Sequence, residues 1–405
     1  MVAALLVVGC GDEAGPGGTG VAGSAFEPVQ GIGEPDVAAD ALPDEPLPDV
    51  VVAPFDVADQ DAGPATTLDT GAGGADTPMV DALTEDASSP DTVTPIDTAQ
   101  PEDVWTPPQD VAAPADVATP PVGSPGDPGP YGAKVQDKVV IDTFDGRKVE
   151  ATLCLPSLDG GATVAQGPLS LVILSPGFQV DRAQYGWGCK HLATWGFLVV
   201  LQSYAGSGLF PDHSAIAQDI SKIIDWVGSP KSGLAERWDG SVGTAGHSLG
   251  GKLSLLAAAI DPRVGAVAGW DPVDANAPSV TPEMMGDVQA PLLLLGETLD
   301  GSGWTACAPT DQNYHQYFEA AKPPALEITV LGADHMDWVD DQNCLPCLAC
   351  KKGTADHVEV KALTRRTTAA FFLAHLRGSP WMEPWLTGSV MQADVAAGRV
   401  TLQQK

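Results

Sequence analysis

The pentapeptide Gly246-His247-Ser248-Leu249-Gly250 places a serine between two glycines in a G-x-S-x-G pattern. The small and apolar run 241–245 before it predicts the end of a β-strand, and the run 252–260 after it predicts an α-helix. Glycines allow the sharp turn that holds such a serine in a strained conformation, with the N-terminus of the helix beside its hydroxyl. The pattern therefore indicates a nucleophilic Ser248, although in a glycine-rich chain it also occurs in ordinary loops.

Other segments have the hydrophobic spacing of regular secondary structure. Residues 138–143 and 148–155 alternate apolar and polar side chains around Asp145-Gly146, which predicts a β-hairpin. Apolar runs predict buried strands at 169–175, 197–201, 264–270, 291–296 and 326–332, and helical spacing is found at 183–195, 216–227 and 364–377. This alternation predicts an α/β domain over residues 134–380, with a mostly parallel sheet covered by helices on both faces. Residues 381–405 are interpreted as a C-terminal extension.

A serine nucleophile needs a base that takes its proton and an acid that orients the base. In the α/β-hydrolase fold, which the context of Ser248 favours, the acid and then the histidine follow the serine along the chain. Of the histidines after Ser248, only His335 comes just after a predicted strand and before the last predicted helix. We therefore predict that His335 is the base; the alternative is an ordinary surface histidine.

The identity of the acid is left open by the spacing. Asp271 ends the first predicted strand after the elbow helix, whereas Asp300 follows the next strand, the commoner location in this fold. Glu297 is a third option, and spacing alone favours Asp300. Asp274 and Asp287 are interpreted as solvated loop acids.

An oxyanion hole requires two backbone N–H groups close to the nucleophile. The residue after the serine, Leu249, is expected to supply one of them. The loop after the strand 169–175 reads Pro176-Gly177-Phe178, and Phe178 is expected to supply the other. The alternative for this loop is a simple turn.

The N-terminal part of the chain differs in composition from the rest. Residues 11–133 hold 24 of the 53 acidic residues, and Lys134 is the first basic residue. Frequent prolines block helices and sheets, and the acids repel one another, so a disordered tether is predicted over 11–133. A small β-domain is the alternative, but aromatic residues are scarce there. The large negative charge argues against nucleic-acid binding, which needs basic patches.

Residues 1–10 form a short apolar run that ends in Val7-Val8-Gly9-Cys10. The run resembles a bacterial lipoprotein signal with its lipobox, in which Cys10 is acylated, although it lacks a basic n-region. A start codon assigned too far downstream would explain that difference; the alternative is an incidental apolar N-terminus. The resemblance implies an exported lipoprotein attached to a membrane through Cys10. Gly11 after this cysteine implies the outer membrane or cell surface.

Several short motifs occur in a fixed order over residues 137–378. They are Ser175-Pro176-Gly177-Phe178, Trp195-Gly196-Phe197, Gly246–Lys252, Asp271-Pro272-Val273, Cys307-Ala308-Pro309 with Asn313 and Phe318, His335-Met336-Asp337 with Asp340-Asp341, and a cysteine-rich stretch ending in Cys350-Lys351-Lys352-Gly353. In this order they resemble the chlorophyllase family of α/β-hydrolases. That family is related to bacterial cutinase-like and polyester hydrolases and to platelet-activating-factor acetylhydrolases.

The resemblance implies that Asp271, the aspartate of Asp-Pro-Val, is the acid. Leu249 stands where plant members have arginine, and Pro176 stands where they have the histidine of His-Gly-Phe. Both departures are expected at the pocket mouth, so the substrate is expected to differ from chlorophyll.

Six cysteines remain besides Cys10: Cys154, Cys189, Cys307, Cys344, Cys347 and Cys350. An even number in an exported chain favours disulfides, and we expect Cys307 to pair with one of the three cysteines after His335. A zinc site in the run 344–350 is a weaker alternative, because it would need a fourth ligand such as Cys307 or His357. Tyr185, Trp187, Trp304 and Trp338 are expected to line an apolar acyl pocket; scattered aromatic residues are more often core or rim.

These features together predict a monomeric, surface-anchored serine ester hydrolase that acts through an acyl-enzyme and needs no cofactor. Its partners would be a small-molecule or polymer ester and the membrane that holds the lipid anchor. One alternative is a catalytically idle binding module with a hydrolase fold. Another is an amidase or peptidase of the same fold.

Overall fold

A computed structural model describes residues 123–143, 146–204, 210–303, 306–342 and 346–405 of the chain. Residues 11–122 of the tether predicted over 11–133, and the lipidation site Cys10, lie outside these residues. No helix within the described ranges combines the length and apolar character needed to cross a bilayer.

Nine strands form one sheet in the described part of the chain. Their bounds are β1 Gly132–Asp142, β2 Lys148–Ser157, β3 Leu169–Ser175, β4 Leu198–Gln202, β5 Trp238–His247, β6 Val264–Trp270, β7 Leu292–Glu297, β8 Ala325–Val330 and β9 Val400–Gln404. Their order across the sheet is β1-β2-β4-β3-β5-β6-β7-β8-β9. The neighbours from β4 to β8 pair in parallel, whereas β1, β2 and β9 pair antiparallel with their neighbours.

Helices connect most of the parallel strands. They are α1 Gly186–Thr194, α2 His213–Gly228, α3 Leu249–Ile260, α4 Tyr314–Ala320, α5 His357–Arg377, α6 Glu383–Leu386 and α7 Ser389–Ala396, with short 3₁₀ turns at Arg182–Tyr185, Pro230–Ser232, Pro346–Ala349 and Pro380–Met382. The predicted α/β-hydrolase fold is confirmed. The strands predicted at 169–175 and 264–270 have the observed bounds. The helix predicted at 364–377 is α5, which begins earlier, at His357.

The sheet is buried between two apolar layers. Residues of β3 alternate between them: Leu171 and Ile173 pack with α2 and α3, while Val172 and Leu174 pack with α1 and α5. All residues of β3, β4 and β7 are buried, as expected for strands covered on both faces. The continuous apolar runs of the sequence are therefore explained by position in the centre of the sheet.

The folded domain extends beyond the predicted bounds 134–380 at its N-terminal side. His191 Nε2 donates a hydrogen bond to the carbonyl oxygen of Pro125 at 2.7 Å, and Trp195 Nε1 donates to that of Asp127 at 2.9 Å. Residues 123–131 thus pack on α1, although their proline and glycine content resembles that of the tether. The side chains that hold them come from a distant part of the chain, so local composition could not indicate the contact.

Residues 381–405 fold with the domain, and their last strand, β9, belongs to the same sheet. β9 pairs antiparallel with β8, with Val400 opposite Val330 and Gln404 opposite Leu326. Leu331, the residue after β8, donates its backbone N–H to the carbonyl oxygen of Arg399 at 2.9 Å. This strand covers the edge that β8 would otherwise expose, next to the loop that contains His335.

Candidate active site

Ser248 lies in the sharp turn between β5 and α3, beyond the carboxyl end of the strand. Its backbone has φ 54° and ψ −117°, a left-handed conformation that side chains other than glycine rarely adopt. Its N–H donates to the carbonyl oxygen of Trp270 at 3.0 Å, and its own carbonyl oxygen accepts from the N–H of Lys252 at 3.1 Å. Neighbouring elements thus hold the strained turn and present the hydroxyl at the edge of the sheet.

The glycines of the pattern are required by the close approach of three backbone segments. A Cβ atom on Gly246 would lie 2.4 Å from the carbonyl carbon of Gly250, and one on Gly250 would lie 2.1 Å from the carbonyl oxygen of Ser175. Both distances are far below van der Waals contact. The G-x-S-x-G spacing therefore allows α3 to begin against the end of β3.

Ser248, His335 and Asp271 are joined by hydrogen bonds. Nε2 of His335 lies 2.9 Å from Oγ of Ser248, and Nδ1 of the same ring lies 2.6 Å from Oδ2 of Asp271. Asp271 follows β6 directly, and its backbone N–H donates to the carbonyl oxygen of Leu295 at 2.8 Å. Because β5, β6 and β8 are parallel, their carboxyl ends meet at one edge and bring the three residues together.

The surroundings of His335 favour its protonated form. The ring is almost completely buried, with 4% of the residue exposed. Burial lowers the pKa of His335, but the hydrogen bond and the negative charge of Asp271 outweigh burial and leave that pKa raised. The ring is therefore able to take up and hold a proton beside Ser248.

Asp300, which spacing alone favours as the acid, contacts His335 at a different atom. Its Oδ2 accepts from the backbone N–H of His335 at 3.1 Å, and its Oδ1 accepts from the backbone N–H of Lys351 at 3.0 Å. The side chain thus braces the loop that carries the histidine, while Asp271 contacts the ring.

Glu297 does not face the histidine ring either. Its carboxylate accepts the backbone N–H groups of Leu299 and Asp300. Burial and the neighbouring charge of Asp271 raise the pKa of Glu297 to about 8. The oxygens of Glu297 are thus engaged by its own turn, whereas Asp271 contacts the ring.

The family of the chain follows from comparison with known proteins. The sequence profile of the chlorophyllase family matches residues 159–387, more than half of the chain. The chain belongs to the chlorophyllase family. It is 26% identical to Chlorophyllase-1 of Arabidopsis thaliana over 248 residues, covering 53% of this chain and 74% of that protein. It is 25% identical to Chlorophyllase-2 of the same plant, covering 53% of this chain and 76% of that protein.

Membership of the chlorophyllase family makes the chain a serine ester hydrolase of the α/β-hydrolase type. The matched segment begins in the loop after β2 and ends after α6, so it contains the elbow, the three hydrogen-bonded residues and the loop of Phe178. The predicted resemblance is thereby confirmed.

A cavity of about 240 Å³ opens over Ser248. Ser248, His247 and His335 line it, together with Gly177, Phe178, Val180, His213, Leu249, Val273, Ala275, Asn276, Cys307, Met336 and Cys350. Leu249 begins α3 and Phe178 lies in the loop after β3, so both predicted oxyanion residues border the cavity. Most of the lining side chains are apolar, which suits a hydrocarbon group of a substrate.

The aromatic residues predicted to line an acyl pocket lie elsewhere, which corrects that prediction. Tyr185 and Trp338 are fully buried behind the site, and neither reaches the cavity. Trp187 stacks on Trp270 at 5.0 Å between ring centroids and donates its indole N–H to the carbonyl oxygen of Trp338. These rings fill the layer between the sheet and α5, as aromatic residues more often do. Trp304 lies outside the described residues.

A disulfide bond forms part of one wall of the cavity. Cys307 and Cys350 form a disulfide that joins the loop after β7 to the segment after His335. The prediction that Cys307 pairs with one of the three cysteines after His335 is confirmed. Cys154 is bonded to Cys189, and Cys347 is also disulfide-bonded, whereas Cys344 lies outside the described residues. Within the described residues no group of His, Cys, Asp and Glu side chains could hold a metal ion.

The opposite wall is held by a buried ion pair that sequence reasoning missed. Lys252, fully buried on α3, donates to the carbonyl oxygens of Ala275 and Asn276 at 2.8 and 2.7 Å and lies 3.1 Å from Oδ1 of Asp274. Asp274 is therefore buried, contrary to its interpretation as a solvated loop acid. A lysine in the middle of an otherwise apolar helix is the signal that could have indicated this contact.

Proposed function

We propose that the protein is a serine carboxylic-ester hydrolase in which Ser248 is the nucleophile, His335 the base and Asp271 the acid. The observation that carries the proposal is the continuous pair of hydrogen bonds from the Ser248 hydroxyl through the His335 ring to the Asp271 carboxylate. Family membership supports ester hydrolysis, and the geometry supplies a role for each residue.

The proposed reaction proceeds in two steps. Ser248 Oγ attacks the ester carbonyl while Nε2 of His335 takes the hydroxyl proton, and the N–H groups of Phe178 and Leu249 stabilise the oxyanion. His335 then protonates the leaving alcohol, which leaves an acyl group on Ser248. A water molecule, deprotonated by His335, attacks this acyl-enzyme; the bond to Ser248 Oγ then breaks, His335 returns the proton to that oxygen, and the acid is released. Asp271 holds the imidazole and stabilises its charged form in both steps.

The substrate class that fits the cavity is an ester with a compact apolar group next to the scissile bond. A cavity of about 240 Å³ lies below the size that suits a large ring system. Leu249 and Val273 add aliphatic surface close to Ser248. We therefore propose short or medium-length acyl esters, either as small molecules or as exposed units of a polymer.

The export and lipid anchor predicted from the sequence are part of the same proposal. A chain with several disulfides suits an oxidising compartment outside the cytoplasm. Acylation of Cys10 would attach the enzyme to a membrane, with the acidic segment 11–122 as a spacer. Metabolic labelling with a clickable fatty acid, compared between the wild type and Cys10→Ala, tests this attachment.

Comparison of p-nitrophenyl esters of increasing acyl length with the matching p-nitroanilides tests the proposed reaction. We expect hydrolysis of the short and medium esters, little hydrolysis of the anilides, and labelling of Ser248 by a fluorophosphonate probe. A wild-type protein that is neither labelled nor active on any ester would show the idle binding module to be correct. Preference for anilides would show an amidase or peptidase.

The raised pKa of His335 predicts the acid side of the pH profile. The ring must be neutral to accept the Ser248 proton, so kcat/KM should fall as pH decreases through this pKa. Because the Asp271 bond and charge raise it, the fall should begin at a higher pH than for an ordinary histidine of pKa about 6.5. A pH series of kcat/KM measures this. A midpoint below that of an ordinary histidine would show that burial outweighs the carboxylate.

A further inference from the structure

Two buried rings behind the candidate triad form a hydrogen-bonded chain that the reaction above does not use. Tyr185 ends the 3₁₀ turn before α1 and is completely buried. Its hydroxyl oxygen accepts from the backbone N–H of Gly177 at 3.0 Å and lies 2.8 Å from Nδ1 of His247. Nε2 of His247 lies 2.7 Å from the backbone carbonyl oxygen of His335.

The chemistry of these groups determines the direction of each bond. The His335 carbonyl oxygen can only accept, so Nε2 of His247 carries the proton and donates it. Burial, with a smaller contribution from His335, lowers the pKa of His247 well below its usual value, so the ring is neutral and Nδ1 accepts. Burial raises the pKa of Tyr185, whose hydroxyl therefore stays protonated and donates to Nδ1. The three bonds all run from Gly177 to His335, so they polarise one another.

Packing leaves little freedom around this chain. A Cβ atom on Gly177 would lie 3.0 Å from both Nδ1 of His247 and the hydroxyl oxygen of Tyr185, beside the bond between them. The rings of His247 and His335 have centroids 4.7 Å apart, and Trp338 stacks on His247 at 5.9 Å. A shift of any one of these groups therefore displaces the next.

This chain of hydrogen bonds connects the two loops that meet the substrate in the proposed reaction. Gly177 precedes Phe178, the proposed oxyanion donor, and His335 is the proposed base. The backbone of His335 is held on both sides, at its N–H by Asp300 and at its carbonyl oxygen by His247. Tyr185 and His247 thus link the oxyanion loop to this carbonyl through three consecutive hydrogen bonds.

We propose that Tyr185 and His247 are positioning residues that set the separation between the oxyanion loop and His335, so that both meet the reacting carbonyl together. This inference rests on the proposed function. Tyr185 does not line the cavity, so its loss should leave substrate binding intact. It should instead weaken interactions made in the transition state, which lowers kcat and leaves KM unchanged.

The test replaces Tyr185 with phenylalanine, which keeps the ring and removes both bonds of the hydroxyl. On p-nitrophenyl butyrate we expect kcat to fall by about 10- to 100-fold and KM to change by less than about twofold. The matched control is Tyr317→Phe, which removes the hydroxyl of another fully buried tyrosine, one without a hydrogen-bond partner. The control should keep the wild-type kcat, and Tm measurements establish that both variants fold.

Two further variants change Gly177 and His247, the other residues of this chain of hydrogen bonds. Gly177→Ala should reduce kcat less in the Tyr185→Phe background than in the wild type, because the added methyl group then meets no hydroxyl. His247→Leu removes two of the three bonds and should lower kcat at least as much as Tyr185→Phe. If Tyr185→Phe does not fold, the change in kcat of this second variant decides the question, with KM measured alongside because His247 also borders the cavity.

A folded Tyr185→Phe with wild-type kcat, in an enzyme that hydrolyses esters, would overturn the positioning role alone. Additive effects of Gly177→Ala and Tyr185→Phe would also overturn it. A wild type without esterase activity would overturn the proposed function together with this inference. Nitrogen NMR of labelled histidine gives a readout that does not depend on activity: we expect the His247 proton on Nε2, and a proton on Nδ1 would contradict the chain.

Discussion

Ser248→Ala is expected to lower kcat on p-nitrophenyl esters by about a million-fold, as loss of the nucleophile does in other serine hydrolases. The Ser248 hydroxyl oxygen lies 2.9 Å from Nε2 of His335, the atom proposed to take its proton. Without it the proposed acyl-enzyme cannot form, and the fluorophosphonate probe has no attachment point. The variant should fold normally, because alanine occupies the same turn without adding volume. Turnover and probe labelling, measured side by side, check the prediction.

The matched control for this variant is Ser170→Ala. Ser170 is fully buried, lies near the start of β3 at the opposite end of the strands, and donates its hydroxyl proton to Asp239. Activity within a few-fold of wild type is expected there. If Ser248→Ala kept substantial activity and labelling, another residue would be the nucleophile and the proposed reaction would be wrong.

Asp271→Asn is expected to lower kcat by about 10⁴-fold. An asparagine amide in place of the carboxylate that accepts from His335 Nδ1 at 2.6 Å favours the wrong tautomer and removes the charge that stabilises the imidazolium. The acid limb of the pH profile should also move to lower pH, because the main influence that raises the pKa of His335 is lost. Steady-state kinetics across pH measure both effects.

Asp300→Asn provides the comparison. Asp300 accepts two backbone N–H groups, and asparagine can keep one of these bonds through its carbonyl oxygen. We expect a loss of about tenfold, with a lower Tm, because the brace of the His335 loop is weakened. A larger loss in Asp300→Asn than in Asp271→Asn would assign the acid to Asp300.

The parts of the site that were predictable from the sequence are those determined by local backbone geometry. The backbone of β3 comes so close to Gly246 and Gly250 that only glycine fits at these positions. The role of His335 was predictable because it comes just after a strand and before a helix. The strand ends meet at one edge because parallel pairing requires it. These constraints act over a few residues and leave a recognisable pattern.

The choice of acid was not determined by spacing. Asp271, Glu297 and Asp300 come from two neighbouring strand ends, and which carboxylate faces the ring depends on side-chain direction. Spacing favoured Asp300, and only the family resemblance indicated Asp271. The structure shows that the two aspartates hold different atoms of the same residue, His335.

The roles of the aromatic residues were also beyond local reasoning. Tyr185 was expected in the pocket, but its position at the start of α1 turns its hydroxyl inwards to His247. Tertiary packing decides whether such a ring lines a cavity or fills the core. The same holds for Lys252, whose partners Ala275 and Asn276 lie more than twenty residues along the chain.

The two walls of the cavity are expected to differ in how readily they accept amino-acid substitutions. The wall at Cys307 and Cys350 is fixed by a covalent bond, so substitutions there would disturb the loop of His335 before they enlarged the site. The wall at residues 273–276 is held to Lys252 by hydrogen bonds and an ion pair, so it can accept new side chains while the loop keeps its path. In a laboratory selection for bulkier esters, the first beneficial substitutions should therefore be found between Val273 and Asn276. Relatives that have diverged in substrate preference would be expected to differ in the same short segment.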